Sequence, residues 1–329
     1  MGINSSNKKQ TVLITGAAGM IGQNLSERLI EEGFEVACID RIQMPDSIVP
    51  WWQGIVDVVD RDKLLEVCNE LNPDFVIHLA AECGVTAPPT LAEYYTNTQG
   101  VENVCEAARA TPSIKRVIFT SSQTVCKVGY QPKDDQDYCP ESIYGESKVL
   151  GEQIVRRLDG GGKPWVIVRP TTVWGAGIDL SYLNQHFIHH IHKGSYCHIG
   201  SGALRKSYSY VGNIAHQYFQ LIKLEQAAVM GRTLYLADYE PLSLRDFANT
   251  LADELHVRRP RTLPIICAYA LAYVGSGLCA LGLKFPFHRK RLSNMLREYV
   301  YDLSETESIC GPLPYSMNEG AHIYAEWYA

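Results

Sequence analysis

Close to the start of the chain a short apolar run breaks into glycines and then into a helical pattern: TVLITGAAGMIG, residues 11–22. Thr11 to Thr15 reads as a β-branched strand, and Gly16, Gly19 and Gly22 follow in the order G-x-x-G-x-x-G. Apolar residues then recur at helical spacing (Ile21, Leu25, Leu29) as far as Gly33, a residue suited to a helix C-cap. A strand that turns on glycine straight into a helix is the first part of a βαβ unit. The chain repeats that rhythm at Phe34–Asp40, Asp74–Ala81, Lys115–Ser122 and Pro164–Pro170, with helix-length stretches such as Thr98–Ala110 between. Strands alternating with helices predict an α/β fold with a mostly parallel sheet.

Beyond about residue 175 the pattern loosens into strand-like islands, SYSYVG and RTLYLAD, and a helical stretch, LRDFANTLADELH. The expected organisation is a Rossmann-type doubly wound domain over residues 1–175 and a smaller C-terminal α/β substrate lobe over 176–329, with segments crossing back. At 329 residues, 46% apolar and 20% charged, the chain can bury a core of that size. A formal charge of −6 provides no basic field for binding nucleic acid. Ten cysteines are scattered with no C-x-x-C, a pattern of free thiols in a reducing, cytoplasmic setting. His186, His189, His190 and His192 cluster without a carboxylate or cysteine at ligand spacing, so no metal site is expected.

Two stretches bear on membranes. MGINSSNKKQ has no apolar signal region; it fits M-G-x-x-x-S, a myristoylation pattern, but reads as a polar leader. Thr262 to Leu283 carries no charge and is long enough to span a bilayer, yet Gly275, Gly277, Gly282 and several tyrosines interrupt it. It reads as a buried or partner-facing helix, and membrane contact is not expected.

The glycine turn has a chemical use. Glycine lets the backbone approach a pyrophosphate and lets the helix pack close to its strand. The helix start, at Met20 and Ile21, then offers amide donors and a positive dipole. Asp40 ends the second strand, where a carboxylate accepts both ribose hydroxyls of adenosine and repels a 2′-phosphate. NAD is therefore expected over NADP, although Arg41 beside it could hold that phosphate. Further on, IYGESKVLGE places Tyr144 four residues before Lys148, on one helix face. An ammonium beside a phenol favours the phenolate, which would make Tyr144 a proton-transfer group.

These motifs together resemble the extended short-chain dehydrogenases/reductases, especially nucleotide-sugar epimerases and dehydratases, from Val12 to about Ala215 and more faintly beyond. TGAAGMIG resembles their TGxxGxIG. The resemblance implies adenine contacts at Asp57 and Val58 in DVVDRDKL, and cofactor contacts at Leu79, Ala80 and Ala81 after His78, and at Asn97. It implies Ser122 as the catalytic hydroxyl in FTSSQTV, with Tyr144 and Lys148 in YGESK. RPTTVWG resembles RxxNVYG, which implies cofactor contacts at Pro170 and Val173 and a substrate contact at Thr172 in place of asparagine. Substrate contacts are likewise implied at Thr86, Ser122, Arg205, Lys206, Tyr208 and Arg291. In LRKSYSYVGN, Lys206 stands in register with the family's phosphate arginine, and Arg205 one residue early.

The resemblance also implies a homodimer through Asn97–Ala110 and Tyr144–Leu158, since VENVCEAARA carries an apolar stripe. Dehydratases of the family follow the serine with an acid pair, whereas Gln123 and Thr124 stand here. Cys126, two residues past the position where a cysteine serves some reductases, reads as packing. The expected activity is NAD-dependent epimerisation of a nucleotide-diphosphate sugar. YVGNIAH and the uncharged run keep a sterol-type dehydrogenase or a one-way sugar dehydrogenase as the alternative.

Overall fold

The computed structural model describes residues 9–83, 88–178, 183–283, 285 and 287–329, without the side chains of residues 185, 186, 227, 290, 291 and 294. The first half runs β1 (Thr11–Thr15), α1 (Met20–Glu31), β2 (Glu35–Asp40), β3 (Trp52–Ile55), α2 (Arg61–Leu71), β4 (Phe75–His78), α3 (Gln99–Ala110) and β5 (Arg116–Thr120). Next come α4 (Ile143–Arg157), the glycine turn α5 (Asp159–Gly162), β6 (Trp165–Pro170), β7 (Thr172–Trp174) and α6 (His189–His192). The second half continues with β8 (Cys197–Ile199), β9 (Arg205–Lys206), β10 (Tyr208–Tyr210), α7 (Val211–Lys223), α8 (Gln226–Val229) and β11 (Arg232–Leu236). It ends with β12 (Leu242–Ser243), α9 (Leu244–Glu254), β13 (Arg261–Leu263), α10 (Ile265–Ala280), α11 (Arg289–Met295), α12 (Ser304–Cys310) and α13 (Met317–Tyr328).

Seven strands form one parallel sheet in the order β3-β2-β1-β4-β5-β6-β11. All five residues of β1 are buried because helices cover both faces. Val12 and Ile14 pack with Leu25, Leu29 and Tyr218 on one side; Leu13 packs with Leu64, Val104 and Val155 on the other. Chain order reverses between β1 and β4, and the crevice outside their carboxyl ends is where such sheets take ligands.

The strands expected from apolar runs are present, and one more joins them. Strand β3 reads WQGI, half-exposed at the sheet edge with a glycine inside, and so carries no apolar run to announce it. The second half of the chain does cross back: β11 pairs with β6, and α7 packs on α1, with Phe219 edge-on to Phe34 at 6.3 Å. What remains as the smaller lobe is three two-stranded pairs around Trp174, Phe247 and Tyr324.

Two apolar stretches lie where the sequence reading did not place them. The stripe on α3 (Val101, Val104, Cys105, Ala108) is part of the core under the sheet. Exposed apolar residues on α4 are instead Ile143 and Leu150. The uncharged run forms α10, and it is not buried. The small residues Ala268, Ala272 and Gly275 are its buried ones among the described residues, while Ile266, Tyr269, Tyr273 and Val274 are exposed. A Cβ on Gly275 would meet the Phe287 carbonyl oxygen at 2.0 Å, so the helix touches its lobe along a narrow, close strip.

Candidate active site

Each glycine of the first turn serves a different constraint. Gly16 sits at φ +71°, and a Cβ there would lie 2.5 Å from the Ala80 amide nitrogen. Gly22 is pressed against the Ala17 carbonyl oxygen, where a Cβ would also come to 2.5 Å. Gly19 is the N-cap of α1 and no side chain caps that helix. The first-turn amides at Met20, Ile21 and Gly22 therefore remain donors for an anion. They open towards a cleft of about 170 Å³ lined by Gly16, Gly19, Asp40, Val58 and Ala80. Arg41, Asp57, Leu79 and Ala81 line it as well.

Asp40 stands at that cleft with one carboxylate oxygen accepting the Ala18 amide at 3.0 Å, which couples the ribose-binding position to the glycine turn. The Arg41 guanidinium is drawn to Glu82 at 2.8 Å. Glu82 also accepts from Thr96, and Thr96, Val56 and Cys83 complete the cleft wall. None of these four has a signal in the sequence, because each comes from a loop after a strand end. The cradle matches NAD: an uncapped helix start for a pyrophosphate and a carboxylate for a ribose. Asn97 lies elsewhere. It is buried beneath α4, where its amide accepts from Glu82 N at 2.7 Å and donates to Ser147 Oγ at 2.8 Å. Pro170 is buried, and Val173 packs between the two lobes.

The catalytic candidates come together at the start of α4. Ser142 caps the helix by accepting the Gly145 amide at 3.0 Å. Gly145 and Gly151 bring the helix against the Thr124 and Asn97 carbonyls, which a Cβ would meet at 2.4 and 2.9 Å. Glycine inside a helix costs about 1 kcal/mol, so two in one turn-and-a-half signal such an approach. The Tyr144 hydroxyl lies beside Ser122. Thr124 donates to Ser122 Oγ from its own hydroxyl at 2.9 Å and from its amide at 3.2 Å, holding the serine in place.

The charge balance here differs from the expectation. Lys148 Nζ lies 5.9 Å from the centre of the Tyr144 ring and donates to the Thr120 carbonyl at 3.0 Å. Burial raises the Tyr144 pKa above its ordinary value, and the neighbouring Ser122 hydroxyl offsets this only in part. Burial also lowers Lys148 to about 8. Desolvation outweighs the neighbouring ammonium when water is excluded. His78, below them, is held neutral by burial and by Lys148, at about 3.

Under α4 sits a buried ion pair. Arg169 on β6 grips Glu152 with two hydrogen bonds, 2.8 and 2.7 Å. Ser121 and Tyr138 donate to the same carboxylate, and Arg169 also reaches the Asp135 carbonyl. The network ties the end of β5, which carries Ser122, to the helix that carries Tyr144.

On the far side a pocket of about 570 Å³ begins at Gln123 and Thr172. Gln123 donates to Thr172 Oγ1 at 2.8 Å. Phe187, Tyr196, Ile199 and Tyr299 make much of its wall, and no Asp or Glu lines it among the described residues. The two residues of β9 differ: Lys206 lines the pocket and is buried over the Tyr299 ring at 4.7 Å, while Arg205 is exposed. Tyr208 also lines the pocket. Thr86 and the Arg291 side chain lie outside the described residues.

A family model described as the NAD dependent epimerase/dehydratase family matches residues 12–236. The chain is 28% identical over 320 residues to an N-acetyl-alpha-D-glucosaminyl-diphospho-ditrans,octacis-undecaprenol 4-epimerase of Escherichia coli O157:H7, covering 94% of this chain and 92% of that one. A 3-beta-hydroxysteroid dehydrogenase of Mycolicibacterium neoaurum is 26% identical over 72% of this chain and 68% of its own. Among solved structures, the UDP-glucose 4-epimerase of Thermotoga maritima with UDP-glucose superposes with a TM-score of 0.74. It is 18% identical, and the match covers 97% of this chain and 98% of that one.

Proposed function

This chain belongs to the NAD dependent epimerase/dehydratase family, and we propose that within it the protein is an epimerase of a nucleotide-diphosphate sugar. NAD, when bound, supplies the hydride acceptor. Tyr144 takes the hydroxyl proton of the sugar as the hydride leaves the same carbon, and a ketone results. Ser122 donates a hydrogen bond to that oxygen, and Lys148 holds the cofactor ribose. With the sugar's other face presented, Tyr144 would give the proton back to the oxygen as the ketone is reduced again.

What supports this reading is the grouping of Ser122, Tyr144 and Lys148 at the start of α4, next in the chain to Gln123, which lines a pocket that holds, among the described residues, one lysine and no Asp or Glu. Eliminating water needs an added acid and base, and the residues that follow Ser122, Gln123 and Thr124, are neutral and engaged in hydrogen bonds. An epimerase returns its hydride, so NADH does not accumulate with a UDP-, GDP-, CDP- or dTDP-sugar. Deuteride placed on the enzyme-bound cofactor appears in the product. Stoichiometric NADH release would show that the reaction stops at the ketone.

Lys206, which lines the pocket over Tyr299, is the proposed partner of the substrate's diphosphate. Burial lowers its pKa to about 8, so its charge is present below that pH and lost above it. The kcat/KM for an anionic substrate is accordingly expected to fall as pH rises through 8, a limb that reports the free enzyme. Lys148 titrates in the same range, and Lys206→Arg separates the two by moving one contribution to higher pH. Lys206→Met should raise KM far more than it lowers kcat.

The apolar wall of the pocket favours one second reading, a sterol-type dehydrogenase, to which a 3β-hydroxysteroid relative also points. A sterol carries no anion, so Lys206→Met would leave its KM unchanged, and NADH would accumulate.

A further inference from the structure

Helix α10 breaks the rule for surface helices, which show water a polar face. Its outermost stripe is Ile266, Ala270, Tyr273, Gly277 and Leu281, and Ile266 and Leu281 are each 79% exposed. Its inward face is equally apolar. An uninterrupted apolar surface of this kind marks a contact with something other than water.

Charge says what that something is. Between Val257 and Arg297 the chain has eight Lys or Arg and no Asp or Glu, although its total charge is −6. Exposed Arg258 and Arg261 precede the helix, and exposed Arg289 follows it, its guanidinium 4.7 Å from the Tyr273 ring centre. A second copy pairing through this helix would bring cation against cation at both ends. An anionic lipid surface complements both ends at once. No helix among the described residues is long and apolar enough to cross a membrane. That leaves the plane of the interface, where tyrosines such as Tyr269 and Tyr273 sit at headgroup level.

We propose that α10 is an interfacial anchor lying along an anionic lipid bilayer, with its outer stripe at the acyl boundary and its flanking arginines on headgroup phosphates. This departs from the expectation drawn from the sequence because that expectation took the run to be covered. The anchor is continuous with the substrate pocket. Ile199 and Leu296 line the pocket and pack on the Ala268, Ala272 and Leu292 cluster beneath α10. Strand β13, which leads into α10, pairs with β8 in the same wall. The pocket therefore sits one layer of side chains from the face proposed to meet the bilayer.

Vesicle binding needs no substrate, so its test is separate from the epimerase reading. The full-length protein is sedimented with vesicles of phosphatidylcholine, with and without phosphatidylglycerol. It should pellet with the anionic vesicles. The triple variant Ile266→Ser, Tyr273→Ser, Leu281→Ser should lose that binding by more than tenfold with an unchanged melting temperature. Arg258→Ser with Arg261→Ser should weaken it by about 25-fold at low salt, roughly fivefold per cation at a membrane surface. Gly2→Ala should bind as the wild type does. A wild type that stays in the supernatant with both vesicles overturns the proposal, as does a triple variant that still pellets. Light scattering that shows self-association abolished by the triple variant, with no vesicle binding, would assign the face to a second copy.

Discussion

Tyr144→Phe lowers turnover by roughly two to four orders of magnitude while fold and NAD affinity persist, the usual weight of general acid–base catalysis. The phenyl ring keeps the packing at the start of α4, and Lys148 keeps its bond to the Thr120 carbonyl. Only the hydroxyl that meets Ser122 is lost. Burial holds Tyr144 above its ordinary pKa, so it must first give up its own proton, and it takes the substrate's proton only as the phenolate, a form that positive charge beside it favours. Lys148, near 8, is still mostly charged at neutral pH. Single-turnover kinetics and calorimetry with NAD check both halves of the statement. Wild-type turnover in the phenylalanine variant would mean that the proton leaves by another route.

Glu152→Ala should be the most damaging single change to stability, by about 3–5 kcal/mol, because it strands a buried guanidinium. Glu152 and Arg169 are 2% and 1% exposed, and the carboxylate also satisfies Ser121 and Tyr138. The paired replacement Glu152→Met with Arg169→Met should cost much less than the alanine alone, since both charges go together. Denaturant midpoints for the two variants decide it. A single variant within about 1 kcal/mol of the wild type would show that water reaches Arg169.

Much of this was readable in the chain because it rests on local rules. The buried parallel strands announce themselves as apolar runs, the glycine turn as G-x-x-G-x-x-G, and the Tyr144–Lys148 pair as one helical turn. Alternation on β9 could have ranked Lys206 above Arg205 as the pocket cation, had the strand been placed. What escaped depends on tertiary contact. Asn97 matched a cofactor motif, yet its amide is occupied between Glu82 and Ser147. The apolar stripe of α3 was read as partner-facing and the uncharged α10 as buried or partner-facing, and only packing shows the first inside and the second outside. The sign of the Tyr144 shift turned on burial, which spacing does not report.

The position of β11 also bears on how the molecule is made. The sheet's outer parallel strand on the β6 side is drawn from residues 232–236, and its neighbour from 165–170. During synthesis the dinucleotide-binding half leaves the ribosome with the β6 edge unpaired and with α1 lacking the cover of α7. An open strand edge and an uncovered apolar face are the surfaces on which nascent chains aggregate. The segment between β6 and β11 contains β7 to β10 of the second lobe, so that edge stays open through the time it takes to translate them. The sheet and the cover of α1 are thus completed in one late, non-local step, and no product ending before Leu236 can close the sheet.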